Sequence, residues 1–260
     1  MAERPKWFSR LMGSPRPLPR VPEGIRVYAV GDIHGRYDLL EKLLQLIRED
    51  AAQTSKRNTL VFLGDYVDRG PRSRDVVECV MALAWPGWDI VALRGNHEEI
   101  MLEFCGNADV YRTWRDFGGA DTLLSYGVRP PSFDDRAEFA RAREEFVRKV
   151  PARHVEYLRS LPLSHTVGDY HFVHAGVRPS VALDQQSPQD LLWIRDEFLF
   201  SDRALDKVIV HGHSPTGRPV VRPNRIGVDT GAYATNCLTA AILDGESCTF
   251  LGTVGVRNAG

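Results

Sequence analysis

The chain has 260 residues, with 33 lysines and arginines against 34 aspartates and glutamates. A chain of this length forms one large domain or two small ones and can bury a substantial core. Its formal net charge of −1 argues against a dedicated nucleic-acid-binding protein, which would carry a surplus of basic residues. The four cysteines form no CxxC pair and are typical of reduced thiols, so we expect a cytoplasmic protein.

Residues 1–24 form a basic, proline-rich arm that contains five of the sixteen prolines. This arm lacks the apolar segment of a secretory signal. Elsewhere, no run approaches the roughly 18 consecutive apolar residues that a transmembrane helix needs. We therefore expect a folded domain over residues 25–255 and no transmembrane segment.

Strand and helix patterns alternate in the first half of the chain. Apolar, β-branched runs at 25–30, 59–65 and 89–96 predict buried strands, and leucines at helical spacing after residue 38 predict a helix. Further helical stretches lie near 73–83 and after residue 96. Alternation with short connections is typical of βαβ units, so we predict one α/β domain with a largely parallel sheet.

Residues 107–160 depart from this pattern. They are charged, helical in character and broken by glycine and proline pairs, and we predict a helical insertion rather than a second domain. We expect His154 and the nearby His165 to be exposed to solvent. Short β-type runs return after the insertion, at 169–176, 207–213, 225–231, 238–245 and 248–254, and predict an antiparallel or mixed sheet.

Polar clusters stand where the predicted strands end. The strands are followed by GDIHG (31–35), GDYVDRG (64–70), GNHE (95–98), HAG (174–176) and GH (212–213). Ligands of open α/β folds bind at the carboxyl ends of strands. Taken singly, each cluster has a structural explanation, such as an asparagine cap for a helix. Asp229 at a later strand end either orients the site or caps a turn. Five clusters in one chain favour a functional site.

This ordered set of motifs resembles the metallophosphoesterase superfamily. The segments GDYVDRGP and LRGNHE are similar to the PPP-type serine/threonine protein phosphatases, especially bacterial and phage members. The resemblance implies a calcineurin-like α/β fold with mixed sheets sandwiched by helices, and two divalent metal ions. It assigns Asp32, His34 and Asp65 to the first ion. Asp65 would bridge to a second ion, which is completed by Asn96, His174 and His213.

The chemistry of these side chains agrees with the resemblance. Imidazoles with carboxylate and amide oxygens suit Mn²⁺, Fe or Zn²⁺ better than Ca²⁺ or Mg²⁺, which prefer oxygen ligands throughout. We expect manganese, with iron or zinc as alternatives. Many nucleases of the superfamily carry GHxH, whereas this chain has Ser214 and Pro215 after GH, as expected for the PPP type. His211 is a candidate to support the site, although a packing role is favoured.

The same motifs suggest a mechanism. Two metal ions can activate a bridging hydroxide for direct in-line attack on phosphorus. His97 would act as general acid, with Asp68 holding its tautomer. Arg69 can bind phosphate oxygens with two parallel hydrogen bonds. Arg195, which follows an apolar run, is the candidate for a second phosphate arginine, and its alternative is a surface arginine paired with Asp196 or Glu197.

Three functions remain open at this stage. The first is a phosphatase acting on phosphoserine or phosphothreonine in proteins, with phosphotyrosine also open, or on a phosphorylated small molecule. The second is symmetrical hydrolysis of dinucleoside polyphosphates such as diadenosine tetraphosphate. Hydrolases of this second kind typically carry GDLVARGP where this chain carries GDYVDRGP, so Asp68 favours the first function. The third, a catalytically silent binding module, would show a damaged site, and every expected side chain is present.

Overall fold

This computed structural model describes residues 18–255. The first seventeen residues, which make up most of the predicted N-terminal arm, lie outside the described residues. The ten strands are β1 Ile25–Val30, β2 Arg57–Phe62, β3 Trp88–Ala92, β4 Ser164–Val167, β5 Tyr170–Val173, β6 Val208–His211, β7 Val220–Arg222, β8 Arg225–Gly227, β9 Thr239–Asp244 and β10 Ser247–Gly252. The α-helices are α1 Tyr37–Ala51, α2 Ser73–Ala82, α3 Asn96–Gly106, α4 Tyr111–Asp116, α5 Gly119–Ser125, α6 Arg136–Lys149, α7 Ala152–Ser160, α8 Pro188–Trp193, α9 Asp196–Leu199 and α10 Ala232–Thr235.

The strands form two five-stranded sheets, in the orders β10-β9-β1-β2-β3 and β4-β5-β6-β8-β7. In the first sheet β1, β2 and β3 are parallel, and β9 runs antiparallel to β1. In the second sheet β5, β6 and β8 are parallel, with β4 and β7 antiparallel at the edges. Both sheets are therefore mixed, as the sequence predicts for the second half.

The two sheets pack face to face, with helices on the outside. Because side chains alternate along a strand, Val27 and Ala29 of β1 face the second sheet, where they pack with Phe172 and Val210. Tyr28 and Val30 point to the other face and pack against the helices. Helix α1 has its buried side chains at helical spacing, Leu39, Leu40, Leu43, Leu44 and Ile47. The structure thus has the two mixed sheets sandwiched by helices that the resemblance implies.

The parallel strands determine where the polar clusters lie. Residue 32 follows β1, residue 65 follows β2, residue 96 follows β3, residue 174 follows β5 and residue 213 follows β6. Parallel strands end at a common edge of their sheet, so these loops from both sheets gather at one end of the sandwich.

Helices α4 to α7 occupy the predicted insertion, and their core is aromatic. The ring of Trp114 lies 4.9 Å from that of Phe104 and 5.9 Å from that of Phe146, measured between centroids. One sequence expectation here is wrong. His154 is fully buried, because its side chain packs from α7 against α2 and the end of α5, where its ring nitrogens contact the Tyr126 hydroxyl at 2.9 Å and the Glu78 carboxylate at 2.7 Å. His165 is half-buried.

Across residues 18–255, none of the helices combines the length and the apolar character that crossing a lipid bilayer requires. All four cysteines are free thiols.

Candidate metal centre

The loops of the polar clusters have unusual backbone geometry. Among residues 18–255, six non-glycine residues have a positive φ, and five of these belong to the predicted site: His34, Asp65, Asp68, Arg69 and His213. A left-handed conformation is costly for residues with a side chain, and it concentrates where the surrounding structure fixes a functional geometry. The strain is therefore localised at the carboxyl ends of β1, β2 and β6.

Four donor atoms converge on one side of Asp65. The Oδ1 atom of Asn96 lies 2.8 Å from Nε2 of His174 and 3.0 Å from Nδ1 of His213. The Nε2 atom of His174 is also 3.4 Å from Oδ1 of Asp65. Because Nδ1 of His174 donates to the carbonyl of Leu63 at 2.9 Å, its Nε2 presents a lone pair to this cluster. Asp65, His174 and His213 form one candidate metal-binding group, and Asn96 contacts both of its histidines.

A second group lies on the other side of Asp65. The Oδ2 atom of Asp65 is 3.5 Å from Nε2 of His34 and 3.7 Å from Nε2 of His97. His34 donates its Nδ1 hydrogen to the carbonyl of Val67 at 2.9 Å, which again leaves Nε2 as an acceptor facing the centre. The two oxygens of one carboxylate thus face two groups of nitrogen donors, the arrangement that a bridging ligand requires.

Asp32 lies beside these groups rather than inside either of them. Its two carboxylate oxygens accept the backbone amide of His213 at 3.1 and 3.0 Å. Asp229 contacts Asp32 and also accepts the amide of Gly231 at 2.8 Å. Asp229 therefore combines the two roles that the sequence left open, capping its own turn and contacting a site carboxylate.

The side chains present fit a pair of divalent cations. Burial is the main cause that raises the pKa of both Asp32 and Asp65, and neighbouring carboxylates raise it further. Burial also lowers the pKa of His174 to about 3, so its imidazole is neutral and able to bind a metal. The Nδ2 atom of Asn96 and the Nε2 atom of His213 are buried without a hydrogen-bond partner among the described residues. A cation would stabilise carboxylates in this environment, and the nitrogen-rich set suits Mn, Fe or Zn.

Two motif glycines permit this crowding. A Cβ atom on Gly95 would overlap the carboxylate of Asp65, and one on Gly212 would overlap the carboxylate of Asp32. The glycines of GNHE and GH are therefore required by close approach to the site carboxylates.

His97 is held by a buried carboxylate. Its Nδ1 atom lies 2.6 Å from Oδ2 of Asp68, which is fully buried. Asp68 also accepts hydrogen bonds from the indole of Trp114 at 2.9 Å and the hydroxyl of Thr122 at 2.6 Å. Burial raises the pKa of Asp68 to about 7, although those two hydrogen bonds lower it. For His97, burial and then the charge of Arg69 lower the pKa.

Three side chains that shape this region are not among the residues that the sequence predicted. Trp114 and Thr122 come from the helical insertion and reach the site only through the tertiary fold. Glu98, the last residue of GNHE, is buried and accepts four backbone amides, from Asp65 at 2.9 Å, Tyr66 at 2.8 Å, Val67 at 3.2 Å and Gly95 at 2.9 Å. The motif contained the signal for Glu98, because a glutamate at the third position of a helix often bonds the preceding amide.

The two predicted phosphate arginines differ in their surroundings. Arg69 contacts the Nε2 atoms of His34 at 3.0 Å and His97 at 3.3 Å, and its guanidinium lies 4.5 Å from the ring centre of Tyr233. Arg195 is exposed, and no carboxylate of residues 18–255 lies within ion-pairing distance of it. Glu197, its expected alternative partner, is paired with Arg178 at 2.6 Å. The charge of Arg195 contributes to the lowered pKa of His213, after burial and the neighbouring His174.

His211 has a packing environment. Its ring lies edge-on to Phe198 at 5.1 Å, and Nδ1 contacts the carbonyl of Gly212 at 3.0 Å. Burial lowers its pKa to about 4. Among the described residues, no side-chain hydrogen bond joins His211 to the two donor groups.

The chain is similar to curated proteins of two activities. It is 33% identical over 155 residues to a symmetrical bis(5'-nucleosyl)-tetraphosphatase of Methylococcus capsulatus, a match covering 59% of this chain and 44% of that relative. The chain thus spans less than half the length of that relative. It is 25% identical to the asymmetrical tetraphosphatase PrpE of Oceanobacillus iheyensis, covering 83% of this chain and 88% of the relative. It is 29% identical to serine/threonine-protein phosphatase 1 of Salmonella typhimurium, covering 83% and 90%.

Solved structures share the fold at lower identity. A putative diadenosine tetraphosphatase superposes with a TM-score of 0.61 at 21% identity, covering 90% of this chain and 98% of that one. A cold-active protein-tyrosine phosphatase of a Shewanella species superposes with a TM-score of 0.63 at 18% identity, covering 92% and 83%. The sequence profile of the calcineurin-like phosphoesterases matches residues 25–241, so the chain belongs to the calcineurin-like phosphoesterase family.

Proposed function

We propose that the chain hydrolyses phosphate esters or anhydrides at a centre of two divalent metal ions. The observation that carries this proposal is the position of Asp65, whose two carboxylate oxygens each face a separate group of nitrogen donors. Asp65 would bridge the ions, with His34 on one side and Asn96, His174 and His213 on the other. Asp32 would complete the first set, as the family resemblance implies.

Metal ions bound there would activate water and polarise the phosphoryl oxygens. The side chains around them would supply the remaining functions. Arg69 would bind phosphate oxygens, and the ring of Tyr233 would orient its guanidinium. Arg195, whose charge acts on His97 and His213, would be the second phosphate-binding arginine. His97 would act as an imidazolium that donates its Nε2 proton to the leaving oxygen, while the Asp68 carboxylate at Nδ1 stabilises that protonated form.

For the substrate, we propose a dinucleoside polyphosphate. Two relatives named as bis(5'-nucleosyl)-tetraphosphatases support this choice. The symmetrical enzyme matches 59% of this chain, and the asymmetrical enzyme matches 83% of it. This substrate was the second hypothesis from the sequence alone, and the comparisons support it at least as well as the first. The absence of paired cysteines continues to favour a cytoplasmic location.

The hydrogen bond between Asp68 and His97 favours a second candidate, a protein serine/threonine phosphatase. An alkoxide leaving group needs a proton, whereas a nucleoside phosphate leaves readily without one. A buried carboxylate that holds a histidine in position is therefore of more use with a phosphothreonine ester than with an anhydride. A serine/threonine-protein phosphatase among the relatives agrees with this alternative.

A direct comparison of substrates tests the proposal. The Mn²⁺-loaded chain would be assayed with diadenosine tetraphosphate and with a phosphothreonine peptide, and kcat/KM compared. A higher value for the dinucleotide is expected. Asp68→Ala should then reduce turnover of the peptide more strongly than turnover of the dinucleotide. A higher value for the peptide would contradict the substrate assignment but not the metal centre, and no turnover of either would contradict the proposed activity.

A further inference from the structure

A groove of about 480 Å³ adjoins the candidate metal centre. It begins at Ser214, directly after His213, and at Arg195, and it extends along the second sheet to Arg222 and Arg225. Its volume lies in the range of small-molecule binding sites. The mechanism proposed above uses only Arg195 among its lining residues, so most of the groove has no assigned role.

Three arginines without a carboxylate partner in the described part of the chain line the groove. None of Arg195, Arg222 and Arg225 has a carboxylate within 4.0 Å in the described part of the chain, whereas the neighbouring Arg178 is paired with Asp190 and Glu197. Asp196 also lines the groove, and Asp202 lies near Arg225 without pairing with it. The local charge is therefore positive, and its hydrogen-bonding capacity is available to a ligand.

Arg225 is buried in the wall of the groove and is incompletely hydrogen-bonded among the described residues. It is only 8% exposed, its Nη2 donates to the carbonyl of Leu199 at 3.0 Å, and its Nε has no partner among the described residues. Burial and the neighbouring Arg222 both lower its pKa. A buried guanidinium beside a like charge is costly unless an anion compensates it. The hydroxyl of Ser214 is likewise buried without a described partner.

An apolar surface lies next to these charges. Phe200 borders the groove and is 80% exposed, and Leu199 and Val220 line it as well. Aromatic side chains beside a positively charged groove form a stacking platform for a nucleobase. The groove thus combines arginines with an exposed aromatic ring, the two kinds of group that a nucleoside phosphate requires.

We propose that this groove binds the nucleoside phosphate part of the substrate that extends beyond the phosphorus held at the metal centre. Arg222 and Arg225 supply the charge that binds its phosphates, and Phe200 stacks on its base. The inference rests on the proposed function, because it places the second half of a dinucleotide. It also predicts that the chain binds a free nucleoside diphosphate more tightly than inorganic phosphate, which fits the metal centre alone.

The test measures binding rather than turnover. Calorimetric titration of the Mn²⁺-loaded full chain with ADP and with inorganic phosphate gives the ratio of the two affinities. Arg222→Ala should weaken ADP binding by roughly tenfold to a hundredfold, as expected for a charged hydrogen bond to phosphate. Phe200→Ala should weaken it by about tenfold through lost stacking. The affinity for inorganic phosphate should change by much less in both variants.

Arg218→Ala is the matched control, because Arg218 is an exposed arginine in the loop before β7 and does not line the groove. Arg225→Lys keeps the charge at the buried position, and circular dichroism of every variant reports its folding. Equal ADP affinity in wild type and in a folded Arg222→Ala variant would overturn the proposal, as would ADP affinity no greater than that of phosphate in the wild type.

The outcome separates the groove from the proposed function. Arg222-dependent ADP binding without hydrolysis of diadenosine tetraphosphate would leave the groove in place and contradict the substrate assignment. Hydrolysis of the dinucleotide with a KM unaffected by Arg222→Ala would support the substrate and contradict the groove.

Discussion

The imidazole of His97 is joined to the carboxylate of Asp68 by a hydrogen bond of 2.6 Å that is buried at both ends. The insertion holds this pair, because Trp114 and Thr122 donate to the same carboxylate. His97 is therefore fixed with Nε2 facing the donor groups, 3.7 Å from Asp65. From that position it can act on the leaving group or bind a metal, and the two roles give different results on substitution.

As a general acid, His97 matters most when the leaving group is poor. His97→Ala should lower kcat on an alkyl phosphate by roughly 10²- to 10⁴-fold, and lower it much less on p-nitrophenyl phosphate, since nitrophenolate barely needs a proton. Steady-state assays of the two esters measure the difference. Manganese content should be unchanged. Equal losses on both esters, accompanied by loss of metal, would identify His97 as a ligand.

The metal content of ligand variants tests the bridging role of Asp65. Wild type should bind two ions per chain, His174→Ala should lose one, and Asp65→Ala should lose both, because each oxygen of Asp65 faces a separate donor group. Atomic absorption after dialysis gives the stoichiometry. His165→Ala, which removes a histidine remote from both groups, is the control. Retention of two ions by Asp65→Ala would contradict the proposed bridge.

Residues close to strand ends were predictable from the sequence, and residues contributed across the fold were not. The candidate ligands Asn96 and His213 follow apolar runs that end in glycine, so the local pattern predicted their positions. Trp114 looks like an ordinary apolar residue of a helix, since nothing nearby indicates that its indole reaches Asp68. His154 was misjudged for the same reason: its burial depends on Glu78, a residue far away in the sequence.

Glu98 should contribute strongly to stability. Its buried carboxylate accepts amides from the GDYVDRG loop and from Gly95, and so holds two site loops together. Glu98→Gln replaces one acceptor oxygen by a donor that opposes backbone amides, and we expect a loss of about 2–4 kcal/mol in the free energy of unfolding. Urea denaturation measures it. Glu103→Gln, an exposed position on the same helix α3, should change stability very little; similar losses in both variants would contradict this role.

His154 should make folding sensitive to acid at a place remote from the metal centre. Burial, the largest cause, lowers its pKa in the folded protein below the ordinary value of 6.5, although Glu78 partly opposes this. The unfolded chain therefore binds a proton more readily, so the stabilising contribution is present above pH 6.5 and is lost as the pH falls toward the folded-state pKa. This one group can contribute a slope of at most about 1.4 kcal/mol per pH unit.

Urea unfolding of wild type and of His154→Gln at pH 7.5 and 5.5 isolates this contribution. Wild type should lose more stability on acidification than the variant. Titration of Glu78 does not affect this comparison. Its pKa is lowered from 4.5, so its contribution to the free energy of unfolding changes only below the pH range compared. Equal pH dependence in the two proteins would show that His154 is protonated alike in the folded and unfolded states.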